Sequence, residues 1–417
     1  MRRRKFLSWS GATALGAMTP GLMTHLSAAD APTTDPAPTA PSIHWNRSLV
    51  IIELRGGNDG LNTIIPFSNP EYRRLRPTIS IRESDIIRLD QRFGFHPALN
   101  DLKAFWDAGQ CAAVLGVGYP EPNLSHFRGI EIWNRASSAK TTPSDGWLSR
   151  LYAAAAKSAP SDLLAHSLSF SAQDALAHEG NGPFIGHLDQ NHFVLDDPDK
   201  FIADISVIPP LKDPTVVPPR NPALAHVRQQ RQDITRIRET VTKLLTTKPF
   251  TTTFPPTDLG KQLNSVARFI AGGAICPTYK CTIGGFDTHS NQLDAHHHLL
   301  NQLSTALAAF RTALQSIPGA WDRTLVMTYS EFGRRANENG SAGTDHGTAA
   351  PHLLFGNGVK SGFHGEYPDL TNLEDGNLTY TTDFRRIYQG ITKDFFGYSA
   401  PFLAESGLQP LSMLKTG

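Results

Sequence analysis

Four times along this chain a short apolar run stops and gives way to glycine, carboxylate, imidazole or hydroxyl. The runs are Ser48–Leu54, Cys111–Val117, Tyr279–Ile283 and Leu325–Tyr329. Each is long enough for a buried strand and too short for a helix. The first, SLVIIEL, is rich in β-branched residues, as suits a central parallel strand buried on both faces. It ends in Arg55-Gly56-Gly57-Asn58-Asp59. The second leads to Ser125-His126-Phe127-Arg128, and the third to Gly284-Gly285-Phe286-Asp287-Thr288-His289. The fourth turns into Ser330-Glu331 and Arg334-Arg335, then a Gly/Asn/Ser loop, Asn337–Gly343, then Thr344-Asp345-His346-Gly347. Between the runs the patterning predicts helices over Pro97–Ala108, Ile130–Arg135, Asp258–Ala271, Leu293–Ile317 and Phe384–Phe396. Strands alternating with helices predict an α/β fold with a mostly parallel sheet. Ligands of such sheets bind at the carboxyl ends of the strands.

The residues at those ends suit a metal. Asp287 and His289 share a face if extended, since i and i+2 point the same way. Asp345 and His346 add a second oxygen–nitrogen pair, and the mixture fits a divalent ion. Asp59 is either a further ligand or the Asx residue of a turn. Ser125 lies where a strand gives way to a helix, a position that favours a nucleophile through the helix amides. It is also a good helix N-cap. His126 is adjacent, but adjacency alone does not make it a base for Ser125. There is no GxSxG elbow and no phosphate-binding glycine loop. His296-His297-His298 faces three directions of a helix and is expected to be mostly solvated. Four such clusters on one edge predict a pocket for one or two divalent metals.

The chain opens with Arg2-Arg3-Arg4-Lys5-Phe6-Leu7, a mildly apolar run, and Ser27-Ala28-Ala29. That is the layout of a signal peptide of the twin-arginine type, residues 1–29. Asp30–Ser42 is a Pro/Thr/Ala linker. No later segment is apolar enough to span a membrane. The remainder, 43–417, shows no repeat or second linker and reads as a single domain. The stretch around 139–252 reads as a helical and loop insertion, with a Pro-rich excursion at Ile208–Pro219 and a helix at Ala223–Leu245. With 39 Lys+Arg against 38 Asp+Glu and no basic face, nucleic acid is not expected as a partner. Cys111, Cys276 and Cys281 read as core thiols. Cys276 and Cys281 are too far apart in an extended segment to bridge.

The motifs ELRGGNDGLNT, LSHFRG, GGFDTHSNQ and SEFGRR…NGSAGTDHGTAAP, behind that leader, resemble the secreted domain-of-unknown-function 1501 family. The resemblance implies a doubly wound α/β core with helices on both faces, like that of the alkaline phosphatase and sulfatase superfamily. It further implies metal ligands at Asp59, Asp287, His289, Asp345 and His346. Ser125 would be the nucleophile, with Glu331 at the site and Arg128, Arg334 or Arg55 clamping oxygens. The metal could be Zn, Mg, Mn or Ca. The implied activity is hydrolysis of a phosphate or sulfate ester, small or polymeric, in the periplasm or outside the cell. The alternative is a non-catalytic secreted protein of the same fold that acts in surface assembly or polymer binding. Ser330-Glu331 stands where the superfamily usually carries Asp-His, and no Cys/Ser-x-Pro-x-Arg lies near Ser125, which disfavours a formylglycine sulfatase.

Overall fold

All seven residues of β1 (Ser48–Leu54) are buried, and the strand sits between two parallel neighbours. The computed structural model describes residues 42–170, 192–195, 239–244, 246, 250–404 and 407–415. The leader, the linker up to residue 41, the Pro-rich 208–219 stretch and most of the expected 223–245 helix lie outside these. The other strands of the main sheet are β2 (Cys111–Gly118), β3 (Ser167–Ser169), β4 (His192–Val194), β5 (Thr278–Ile283), β6 (Thr324–Tyr329), β7 (Ala350–Phe355), β8 (Gly362–His364) and β9 (Thr382–Asp383). Their order is β8-β2-β7-β6-β1-β5-β3-β4, with β9 also paired to β2. Every pairing is parallel except those of β7, which runs against both β2 and β6. Because β7 is reversed, its start lies on the same edge as the ends of β1, β2, β5 and β6.

The period-2 alternation of the strands divides the core into two layers. Val50, Ile52 and Leu54 face one layer, with Ala113, Leu115 and Val326. Leu49 and Ile51 face the other, with Ala112, Val114, Leu325 and Met327. The helices divide in the same way. α3 (Asp258–Ala271) and α4 (Gln292–Gln315) contribute Leu263, Val266, Leu303 and Phe310 to the first layer. α1 (His126–Arg135), α2 (Trp147–Ala155) and α5 (Phe384–Gly390) contribute Trp133, Trp147 and Tyr388 to the second. Each aliphatic side chain so buried contributes roughly 1.5–3 kcal/mol. The architecture is therefore the α/β class expected, a mixed, mostly parallel sheet between helical layers.

Three local details differ from the sequence expectation. Pro97–Ala108 is a 3-10 stretch, Pro97–Leu102, kinked at Leu99 and continuing as a short α-helix, Lys103–Asp107. Pro97 opens it, and His96 Nδ1 accepts from Ala98 N at 3.1 Å as its cap. The helix expected over Phe384–Phe396 stops at Gly390 and continues as one π-helical turn, Ile391–Phe395. Its cap is Asp383, which accepts from Arg385 N at 3.0 Å. Of the three consecutive histidines, His297 and His298 are exposed, but His296 is buried. The three cysteines are buried and unbridged. Among the described residues no helix is long and apolar enough to cross a membrane.

Candidate metal centre

The ends of β1 and β6 are fastened together first. Asn58 N donates to Ser330 Oγ at 2.8 Å, and Ser330 Oγ donates to Leu54 O at 2.7 Å. Gly56 N donates to both oxygens of Glu331, at 2.9 and 3.1 Å. Gly56 has φ +121°, and a Cβ there would strike the backbone of Phe286 and Asp287. Only glycine lets the β1 loop and the β5 loop approach this closely.

One face of α1 is given to Glu331. His126 Nδ1 lies 2.7 Å from Glu331 Oε1, and Trp133 Nε1 donates to Glu331 O at 3.1 Å. Between them, a Cβ on Gly129 would come within 3.1 Å of Glu331 O. Glu331 is fully buried. A carboxylate only accepts, so the proton of neutral His126 sits on Nδ1 and its Nε2 lone pair faces outward. The Glu331 hydrogen bond raises the His126 pKa, and partial burial only partly offsets this.

That lone pair meets two others. Asp287 Oδ1, His289 Nε2 and His346 Nε2 form a triangle with sides of 2.9, 3.0 and 3.1 Å. His126 Nε2 approaches from the other side, 3.4 Å from Asp287 Oδ2. Donor atoms of His126, Asp287 and His346 all lie within 4.8 Å of one another. Each imidazole has its other nitrogen on an oxygen. His289 Nδ1 is 3.3 Å from Asp345 Oδ1, and His346 Nδ1 donates to Leu124 O at 3.0 Å. This is the outer-shell pattern that fixes the tautomer and orientation of metal-binding histidines. It leaves the Nε2 lone pairs of His289 and His346 facing each other across 3.1 Å beside a carboxylate, an arrangement that a proton on one ring or a cation between them relieves. The donor set, imidazole and carboxylate, fits a divalent ion such as Zn2+.

Asp287 is held from behind. Burial alone would raise its pKa, but Arg334 at 2.6 Å, with help from His346, brings it down to about 2. The group is therefore an anion around neutral pH.

The remaining sequence candidates are placed as follows. Asp345 supports His289 and accepts from Asn339 Nδ2 at 3.1 Å. Asp59 stands apart from the triangle. Its Oδ2 accepts from Arg76 Nη1 at 2.6 Å and from Gln292 Nε2. Glu331 backs His126 instead of facing open space. The Arg128 guanidinium is spent on Glu131 and on the carbonyls of Ser138, Ala139 and Thr141. Arg334 is buried among backbone carbonyls and Asp287, and Arg55 is paired with Glu53. Ser125 is the N-cap residue of α1 and is exposed, yet its hydroxyl makes no capping bond. Its neighbours on both sides, Leu124 and His126, touch the centre. His126 is the participant that sequence reasoning passed over. A histidine opening the helix after β2 was its only local signal, and the partner that orients it is 205 positions away.

Residues 273–386 match the model of a family described as a protein of unknown function, DUF1501. This segment contains the GGFDTHSNQ and SEFGRR…TDHGTAAP motifs. No curated protein matches the chain. Among solved structures, the chain is similar to a protein in the alkaline phosphatase superfamily from Vibrio parahaemolyticus. Identity there is 11%, covering 81% of this chain and 68% of that one, at TM-score 0.36. The lipoteichoic acid synthase LtaP from Listeria monocytogenes is 10% identical, covering 75% and 65%, at TM-score 0.31. The alkaline phosphatase from the Antarctic bacterium TAB5 is 10% identical, covering 74% and 91%, at TM-score 0.30. Likeness at this level leaves the chemistry to be argued from the residues themselves.

Proposed function

We propose that this chain is a metal-dependent hydrolase of phosphate or sulfate esters, with its divalent ion held by Asp287, His289 and His346. The observation that supports this most is the triangle of donor atoms backed by Asp345, the Leu124 carbonyl and Arg334. When bound, the ion would lower the pKa of a hydroxyl or water and neutralise charge on the transferring group. The protein's own residues divide the rest. Ser125, whose hydroxyl is free of capping duty, attacks the phosphorus or sulfur. His126, with its Nδ1 proton held by Glu331, takes the Ser125 proton on its Nε2 lone pair and delivers it to the leaving oxygen as that bond breaks, and water then hydrolyses the Ser125 ester with the same base. Among the described residues the exposed Arg335 guanidinium makes no hydrogen bond or ion pair. Its backbone N–H donates to Asp345 O at 3.0 Å and its charge acts on the Asp345 carboxylate, so we assign it to meet the ester's charge. We read residues 1–29 as a twin-arginine leader that exports the chain. Arg3→Lys/Arg4→Lys is expected to abolish export, and unchanged export would refute that reading.

The reaction is tested with a panel of phosphate and sulfate esters on the metal-loaded protein. Ser125→Ala is expected to lose activity on any ester the wild type cleaves. Because no capping bond is lost, its stability should stay within about 0.5 kcal/mol of wild type, below the usual cost of cap removal. A fully active Ser125→Ala would transfer the attack to water. A wild type inert on every ester while metal-loaded would favour the non-catalytic alternative.

A further inference from the structure

A buried polar chain lies behind the ligand-bearing loops. It begins at Arg76, which is fully buried and donates to Asp59 Oδ2 (2.6 Å), Asn62 Oδ1 (3.0 Å), Ala336 O (3.0 Å) and Arg335 O (3.1 Å). Burial alone would raise the pKa of Asp59, but Arg76 overrides it and keeps the carboxylate ionised. Asp59 Oδ2 then accepts from Gln292 Nε2. Gln292 is fully buried too, and its Oε1 accepts two hydroxyls, from Thr288 at 3.1 Å and Thr344 at 2.6 Å. Thr288 stands between Asp287 and His289. Thr344 directly precedes Asp345-His346. One amide oxygen thus joins the loop that supplies two donors of the triangle to the loop that supplies the third. The backbone follows the same path, with Thr344 N donating to Thr288 O at 3.2 Å and Gln292 N to Ala342 O at 2.9 Å.

We propose that Gln292 is a positioning residue that sets the spacing between Asp287-His289 and His346, anchored by the Asp59–Arg76 pair, and so governs how tightly the centre holds a divalent cation. The role demands an amide. Its oxygen must accept twice while its nitrogen donates to a carboxylate, and no other side chain at this length does both. A glutamate would set a second carboxylate against Asp59. A leucine would strand the buried Thr344 hydroxyl and leave that of Thr288 only its longer contact to Phe286 O at 3.4 Å. Position 292 is the first residue of α4, so a 24-residue helix fixes where the amide stands. One turn on, His296 Nε2 faces Asn58 Oδ1 at 3.0 Å, so the helix grips two successive residues of the β1 loop.

The inference rests on the metal reading above, and its test separates the two. Metal-free protein is titrated with Zn2+ in competition with a chromophoric chelator. Gln292→Leu is expected to weaken zinc binding about 10–100-fold, the usual effect of removing an outer-shell partner, while the protein stays folded. Gln292→Glu should weaken it similarly. Wild-type affinity in Gln292→Leu or in Gln292→Glu overturns the proposal. A wild type that binds no zinc contradicts the metal reading instead. The tie is then decided by amide hydrogen exchange at 287–289 and 344–346 in metal-free protein. Faster exchange in Gln292→Leu supports it, and unchanged exchange overturns it.

Discussion

Arg334→Ala is expected to destabilise the protein by about 3–5 kcal/mol, because each buried carbonyl left without its donor costs roughly 1–3 kcal/mol. Arg334 is fully buried. Its Nε donates to Gly57 O at 2.7 Å, Nη1 to Thr344 O at 2.9 Å, and Nη2 to Phe286 O at 3.0 Å, to Gly56 O, and to Asp287 Oδ1 at 2.6 Å. These acceptors come from the loops after β1 and β5 and from the loop before β7. Alanine leaves four buried carbonyls without their donor, each with its own desolvation cost, while the Asp287 carboxylate, 44% exposed, turns to water. At roughly 2–4 °C per kcal/mol, the upper end of domain sizes, the melting temperature should fall by about 10 °C. The Asp287 pKa should climb back from about 2, and metal affinity should fall with it. Arg334→Lys should rescue little, because one ammonium cannot reach acceptors spread over three loops. A lysine variant that melts with wild type would show that the guanidinium fork is dispensable.

Metal-free protein should also lose stability on mild acidification, through three histidines away from the candidate centre. Burial lowers the pKa of His96 to about 3, of His296 to about 4 and of His352 to about 3. Their surroundings explain why. His96 Nδ1 accepts the capping bond from Ala98 N. The His96 ring lies 5.7 Å from that of His296 and 5.4 Å from that of His297. His352 is packed in β7 against Trp133, with Nδ1 unpartnered among the described residues. The sign follows from proton counting. Below the ordinary imidazole value the unfolded chain binds protons that the folded chain refuses, so stability falls with pH. The contribution is whole above about pH 6.5 and is lost between there and the folded values of about 4 and 3. Each unit of difference is worth roughly 1.4 kcal/mol per group, so the loss is on the order of several kcal/mol. Denaturant titrations from pH 7.5 to 4.5 should show it, and His352→Leu should flatten the profile by about one proton. A stability that does not change over that range would mean these rings are not buried neutral.

Much of the framework was legible because it is local. Apolar runs cut off by glycine mark the ends of β1, β2, β5 and β6, and Val50/Ile52/Leu54 against Leu49/Ile51 is a pattern visible in seven letters. Asp287, His289 and His346 could be picked out for the same reason, since each lies within a few residues of a strand end or start. The partners could not. Nothing near Asp59 says that Arg76 will claim it, and nothing near His126 says that Glu331 will turn it inward. Both pairs are set by how loops meet at the sheet edge, and they decide which strand-end carboxylate faces a ligand and which is tied up inside. Ser125 illustrates the limit from the other direction. Its sequence context suited a cap equally well, and only the geometry of α1 leaves the hydroxyl uncommitted.

The central claim is that the triangle of Asp287, His289 and His346 is a metal centre. Protein stripped with chelator and then titrated with Zn2+ should take up one tightly bound ion per chain and melt at higher temperature as it does, since an ion that binds only the folded state adds to its stability. His289→Ala/His346→Ala, which removes two of the three donors from partly exposed positions, should fold but show neither the uptake nor the stabilisation. Saturable uptake that survives the double variant, or a wild type that binds no zinc and melts the same with and without it, would contradict the claim.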